Sequence, residues 1–142
     1  MEVQIRRFDK EIPLPEYKTA GAVAMDLALR EGATIPPHQV ARLPLNVAIK
    51  PPADHFILLA ARSSLYKRGL TMRNAVGIFD EDYVGDNDEY QAVLYNFTDT
   101  EVLVERGERV AQIVVIPYAK VTVQEVQAMG NPDRGGFGTT GI

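Results

Sequence analysis

Residues 74–85 read NAVGIFDEDYVG, and the change of character within them marks the chain as β-built. Residues 75–79 are apolar and partly β-branched, which suits a short strand. The chain then meets Asp80, Glu81 and Asp82, reaches Tyr83 and turns at Gly85. A strand that ends abruptly in acids, an aromatic and a glycine predicts a hairpin whose backbone faces a ligand. Gly77 and Gly85 have no Cβ to hold that backbone away. Asp80, at the end of the apolar run, is the candidate for a carboxylate held half inside a pocket. An acidic surface turn would have the same composition.

A length of 142 residues suggests one domain, which on folding buries roughly 68–70% of the unfolded chain's surface. The composition, 46% hydrophobic and 24% charged, is that of a globular protein. A formal net charge of −4, with the signs mixed along the chain, argues against a general nucleic-acid binder and leaves room for one local cationic pocket. The lack of cysteine excludes disulfides, thiolate metal sites and a cysteine nucleophile. His38 and His55 are the two histidines and lie in different segments, which argues against a Ser-His-Asp triad or a histidine zinc site. The opening MEVQIRRFDKEI lacks the basic-then-apolar layout of a signal peptide, and no apolar run approaches ~18 residues. The expectation is a cytoplasmic protein without a membrane partner.

Nine prolines and eleven glycines punctuate short apolar runs, the pattern of a β-sandwich or barrel. Strands are expected at residues 3–8, 22–29, 39–45, 46–50, 90–97, 101–104 and 110–118, and residues 121–126 alternate cleanly. Residues 55–61 (HFILLAA) are apolar throughout, as expected of a strand buried on both sides. Residues 62–68 suit one or two helical turns, with serines at the start as caps. No long helix, repeat or low-complexity segment is present. Residues 128–142 (AMGNPDRGGFGTTGI) hold five glycines and almost nothing that builds a core. Such a tail is either disordered or a phosphate-binding flap, with backbone N–H groups and Arg134 for charge and Phe137 for stacking.

Five segments, in order and at approximate spacing, resemble the five motifs of the trimeric deoxyuridine triphosphate nucleotidohydrolases (dUTPases). They are residues 20–29 (AGAVAMDLAL), 61–65 (ARSSL), 74–85, 107–114 (GERVAQIV) and 134–141 (RGGFGTTG). The resemblance spans essentially the whole chain. It implies an all-β, jelly-roll-like barrel or sandwich with at most one short helix. Residues 1–127 would form the β domain, and residues 128–142 an arm closing over a neighbouring subunit's site in a homotrimer. The implied reaction is hydrolysis of dUTP to dUMP and pyrophosphate, which limits uracil incorporation into DNA and supplies dUMP for dTMP synthesis.

Each motif also has a physical reason. Water is a weak nucleophile at neutral pH, so a base must take its proton as it attacks the α-phosphorus, and Asp80 matches that base. Tyr83 occupies the position whose ring, in relatives, packs under the deoxyribose and leaves no room for a 2′-hydroxyl. By resemblance the backbone from Asn74 through Gly77, Ile78 and Phe79 reads uracil, with Gln91 also at a substrate-contacting position. Arg62, Ser63 and Ser64 follow the buried strand and suit anion binding, or else a capped surface turn. Gln112 interrupts an apolar strand and needs a partner, either phosphate, the attacking water or a neighbouring strand. Asp26 sits alone in an apolar run; in relatives the matching acid lies near triphosphate-bound Mg2+, and a structural role is the alternative. Phe137 would stack on uracil, with Arg134, Gly138, Thr139 and Thr140 at the outer phosphates.

Three departures from the family pattern stand out. Residues 86–90 (DNDEY) lengthen the return strand and bring acids near the expected nucleoside pocket. Only two glycines separate Arg134 from Phe137, and Ala24 stands where a glycine is usual. Two rival readings are a dCTP deaminase, which resembles this fold but uses a glutamate in the strand after the hairpin, and a silent dUTPase-like binding protein. Residues 91–96 (QAVLYN) contain no acid, which argues against the deaminase.

Overall fold

The computed structural model describes residues 1–139. Eleven short strands and one 3-10 turn build it. The strands are β1 (Gln4–Arg7), β2 (Met25–Ala28), β3 (Ala33–Ile35), β4 (Val40–Pro44), β5 (Val47–Lys50), β6 (His55–Ala61), β7 (Leu70–Met72), β8 (Gly77–Phe79), β9 (Gln91–Asn96), β10 (Val102–Val104) and β11 (Arg109–Pro117). A four-stranded sheet runs in the order β2-β11-β6-β8 and a three-stranded one in the order β4-β9-β7. Two antiparallel pairs, β1-β5 and β10-β3, complete the layers. This is the all-β, jelly-roll-like architecture expected, with the turn Leu65–Arg68 as its one short helical element among the described residues.

One core joins the sheets. Leu27, Ile57, Leu59, Ala111 and Ile113 come from the four-stranded sheet, and Leu43, Leu70, Met72, Ala92 and Leu94 from the three-stranded one. Each fully buried leucine or isoleucine stabilises the fold by about 2 kcal/mol. On β6 the alternation is visible: Ile57 and Leu59 are inaccessible, whereas Phe56, Leu58 and Ala60 are only half-buried. The expected two-sided burial is therefore met on one side alone within a single chain. Register explains what covers the other side poorly. Ile78 of β8, Leu58 of β6 and Val114 of β11 lie in one row, with Phe56 and Ile116 beside them, and among the described residues no strand crosses that face.

Residues 121–126, expected as a strand, pair with no strand among the described residues and are exposed; Val121 and Val123 are 79% and 88% accessible. Alternation had no partner edge to meet within one chain. The 3-10 turn has Ser64 at its N-cap, but no serine side chain caps it. β4 and β5 are divided at Asn46, which adopts a left-handed φ of 70°. Its buried amide clasps the N-terminal segment, accepting from the Asp9 N–H at 2.6 Å and donating to the Asp9 carbonyl at 3.0 Å. No helix among the described residues is long and apolar enough to cross a membrane.

The segment 86–90 runs from exposed Asp86 and Asn87 to buried Glu89 and Tyr90. Glu89 is 9% exposed and receives Arg30 through two parallel bonds, Nε at 2.8 Å and an Nη at 2.9 Å, plus the Asn46 N–H at 3.0 Å. That hydrogen bonding pushes the Arg30 pKa up. Paired charges of this kind are costly to break because one is left without a partner. Glu89→Ala is expected to lower unfolding free energy by about 3 kcal/mol. Urea denaturation of Glu89→Ala, Arg30→Ala and the double variant should show the double loss well below the sum of the single ones.

Candidate active site

The hairpin begins where β7 ends. Arg73 N–H donates to Val93 O at 2.8 Å and Ala75 N–H to Met72 O at 3.1 Å, and Ala75 takes a left-handed φ of 62° to turn the chain. β8 then pairs with β6, Gly77 opposite Leu59 and Phe79 opposite Ile57. A Cβ on Gly77 would come within 3.1 Å of both the Leu59 Cβ and the Phe79 ring. The space freed by this glycine is thus filled by protein, not opened to a ligand as expected. Gly85 is similar: its N–H donates to the Asp88 carboxylate at 2.7 Å, which occupies the place of a Cβ.

Asp80 lies one step beyond the Phe79–Ile57 pair, and the Tyr83 N–H closes the following turn onto its carbonyl at 3.2 Å. It is exposed in the single chain rather than half inside a pocket, because the face it shares with Ile78 is uncovered. It lines a cleft of about 800 Å³ with Phe56, Ile78, Glu81, Tyr118 and Lys120. Asp80, Glu81 and Asp82 all line it without gathering at one point, and of the three Glu81 has a side-chain partner. Glu81 accepts from the Tyr118 hydroxyl, which holds the Glu81 carboxyl below its usual range and pushes the Tyr118 phenol up. No hydrogen bond or ion pair joins the Asp80 side chain to another described residue, so it is available to a ligand. Tyr83 does not line this cleft. Its ring rests on Phe79 with centroids 5.7 Å apart, and Phe79 in turn stacks on Tyr90 at 3.6 Å.

A second cluster forms at the other edge of the same sheet. The Asp26 carboxylate meets Arg62 Nε at 3.0 Å and an Arg109 Nη at 3.2 Å. Gln112 sits opposite Asp26 in the β11–β2 register and donates to the Ala61 carbonyl at 3.0 Å. Of the alternatives for these two residues, the structural ones are what a single chain displays. Arg62 is further tied to the Arg109 carbonyl at 3.2 Å. Ser63 and Ser64 are exposed beside it. A cleft of about 800 Å³, lined by Asp26, Arg62, Arg106, Arg109 and Lys18, opens here.

The expected site residues therefore fall into separate groups. Asn74, Gly77, Ile78, Phe79, Asp80 and Tyr83 belong to the hairpin, with Gln91 half-buried on β9 of the other sheet. Asp26, Arg62, Ser63, Ser64 and Gln112 belong to the second cluster. Three strand spacings separate β2 from β8, about 14 Å, and Arg62 follows the opposite end of β6 from Asp80, about 20 Å along the strand. Arg134, Phe137, Gly138 and Thr139 lie on an exposed tail with no hydrogen bond or ion pair to either group among the described residues; Phe137 is fully accessible, and the Gly136 N–H donates to Thr139 Oγ1 at 2.6 Å. Thr140 lies outside the described residues.

Sequence reasoning missed two contributors. Arg109 was visible inside GERVAQIV, but its pairing with Asp26 depends on the β11–β2 register. Tyr90 borders the acidic insertion, and only the fold shows it beneath Phe79. Burial pushes its phenol pKa up, and its hydroxyl has no hydrogen-bond partner among the described residues.

Comparison with known proteins bears on this arrangement. The family model described as dUTPase matches residues 10–141. The chain is 36% identical to the deoxyuridine 5′-triphosphate nucleotidohydrolase of Hydrogenobaculum sp. (strain Y04AAS1), covering 100% of this chain and 99% of that protein. It is 35% identical to the enzyme of the same name from Dictyoglomus turgidum, again over 100% and 99%. Among solved structures, the dUTPase from Streptococcus mutans superposes with a TM-score of 0.77 at 30% identity, covering 87% of this chain and all of that one. A dUTPase of Staphylococcus bacteriophage 80alpha, solved with dUpNHpp, reaches a TM-score of 0.86 at 20% identity over 99% of both chains, a likeness of fold. A hairpin ending in an unpartnered aspartate, an arginine-serine-serine turn at the far end of the central strand, and a match across nearly the full length all agree: the chain belongs to the dUTPase family.

Proposed function

We propose that this chain hydrolyses dUTP to dUMP and pyrophosphate, with Asp80 as the base. The observation that carries the reading is the free Asp80 carboxylate at the mouth of the hairpin cleft, in a chain whose relatives are named for this reaction. Asp80 would take a proton from water as its oxygen bonds to the α-phosphorus, while the bond from that phosphorus to the pyrophosphate oxygen breaks. A positioned base contributes about 10²–10⁴-fold. The backbone from Asn74 to Phe79 would pair with the uracil edge, and Tyr83 would lie against the deoxyribose.

A homotrimer with composite sites fits the geometry. Within one chain, Arg62 and its serines sit some 20 Å along β6 from Asp80, too far to hold the outer phosphates of a nucleotide whose α-phosphorus is at that carboxylate. A second copy can supply them. The uncovered row of Ile78, Leu58 and Val114, flanked by Phe56 and Ile116, is the apolar face such a copy would bury. Residues 128–142 act in this reading as an arm, with Phe137 over the base and Arg134, Thr139 and Thr140 at the phosphates. The exposed stretch 121–126, which joins no sheet among the described residues, would lead to it.

The protein's donor set fits magnesium only as a passenger of the nucleotide. Among the described residues no three His, Asp or Glu side chains gather to hold a metal, and Asp26 is already balanced by Arg62 and Arg109. Magnesium keeps several waters and binds phosphate oxygens, so bound to the triphosphate it would offset its charge. Asp26 then serves to orient the two guanidiniums.

Pyrophosphate release should be fastest with dUTP in a panel with dCTP, dTTP and UTP; ammonia release from dCTP would replace this reading with a deaminase. Asp80→Asn is expected to lower kcat at least 100-fold, with nucleotide affinity by calorimetry kept within a few-fold. Deleting residues 134–142 should cut turnover while leaving the melting temperature of the β domain within a few degrees. Val114→Asp should convert a trimer to monomers in analytical ultracentrifugation and abolish turnover with it.

A further inference from the structure

We propose that Tyr90 is a positioning residue that sets how strictly the site distinguishes deoxyribose from ribose, acting through a three-ring stack with Phe79 and Tyr83. The inference rests on the placement of the sugar against Tyr83 argued above.

Tyr90 is completely buried and its main chain is held on both sides, its N–H donating to Val47 O and its carbonyl accepting from Leu45 N–H, each at 2.8 Å. The preceding residue, Glu89, is clamped by Arg30. The ring therefore projects from a fixed base. Its face lies on that of Phe79, with centroids 3.6 Å apart and planes 7° from parallel. Tyr83 leans against both, 5.7 Å from Phe79 at 40° and 6.2 Å from Tyr90 at 35°. With 37% of its surface accessible, Tyr83 has these rings on one side and open space on the other.

Steric rejection of a 2′-hydroxyl works only if the rejecting surface cannot retreat. One added oxygen is a small intrusion, and a ring on an exposed turn would yield to it. Behind Tyr83 stands Phe79, and behind Phe79 stands a tyrosine locked into the core. That backing converts a movable ring into a wall. The hydroxyl of Tyr90 takes no part, since it has no partner among the described residues; the aromatic plane is what counts. The insertion 86–90 acquires a purpose from this, because it delivers Tyr90 to its place.

The test compares kcat/KM for dUTP and UTP in the full-length protein. Tyr90→Leu is expected to lower the dUTP-to-UTP ratio at least tenfold, with UTP turnover rising, and Tyr90→Phe should restore the parent ratio. A loss of stability alone would reduce both substrates together and leave the ratio alone. Should Tyr90→Leu fail to assemble, Tyr90→Met, closer in length, is read in its place. Tyr83→Ala serves as the reference. If it collapses the ratio while an assembled Tyr90→Leu or Tyr90→Met keeps it, the stack inference is overturned and the reading of the site stands. If Tyr83→Ala leaves the ratio unchanged, the sugar does not rest on that ring and both are overturned.

Discussion

Strand β6 bears apolar side chains on both of its faces, and one chain can cover only one of them. Ile57 and Leu59 turn into the core, while Phe56, Leu58 and Ala60 are left half-buried in line with Ile78, Val114 and Ile116. At roughly 25 cal/mol per Å² of apolar surface, leaving such a row in water sacrifices several kcal/mol that a second copy would recover. The same strand carries the two candidate half-sites at its ends, Asp80 beside one and Arg62 after the other. In the proposed assembly, association and catalysis would thereby depend on a single stretch of seven residues.

The charges near that strand divide into those that are spent and those that are free. Asp26 is balanced by two guanidiniums, Glu89 by Arg30, and Glu81 by the Tyr118 hydroxyl. Asp80 and Asp82 have none of these supports among the described residues, and of the two Asp80 shares its strand face with Ile78. A carboxylate with no internal partner and an apolar neighbour in Ile78 is the one whose environment a bound nucleotide would change most.

Much of this was legible from residue order. Residues 55–61, 91–96 and 109–117 carry apolar runs long enough that their strands are plain, and the acid that ends 75–79 stands out by contrast. Strands β3 and β7, three residues each, are too short to show a period. Residues 121–126 show one and form no strand, because alternation describes a strand's faces without supplying the edge it must pair with. Glu89 was expected among the acids near the nucleoside pocket; its partner Arg30 lies 59 residues earlier, and only the tertiary fold brings them together. Tyr90 was hidden for the same reason. A site shared between subunits was expected from the resemblance, but the distance between Asp80 and Arg62 within one chain follows only from the strand register.

Asn46 holds Asp9 through its side chain and Glu89 through its N–H, Arg30 grips Glu89, and Arg6 of the N-terminal strand holds the Asp86 carbonyl, so the insertion is tied down from several sides. Their effect is felt in when entropy is lost. In the proposed reading the rings of one wall are immobilised as the polypeptide folds, before any nucleotide arrives, whereas the glycine-rich arm would be ordered only upon binding. Affinity would then be governed chiefly by the terminus and selectivity chiefly by the core. Evolution could retune either one with little disturbance to the other.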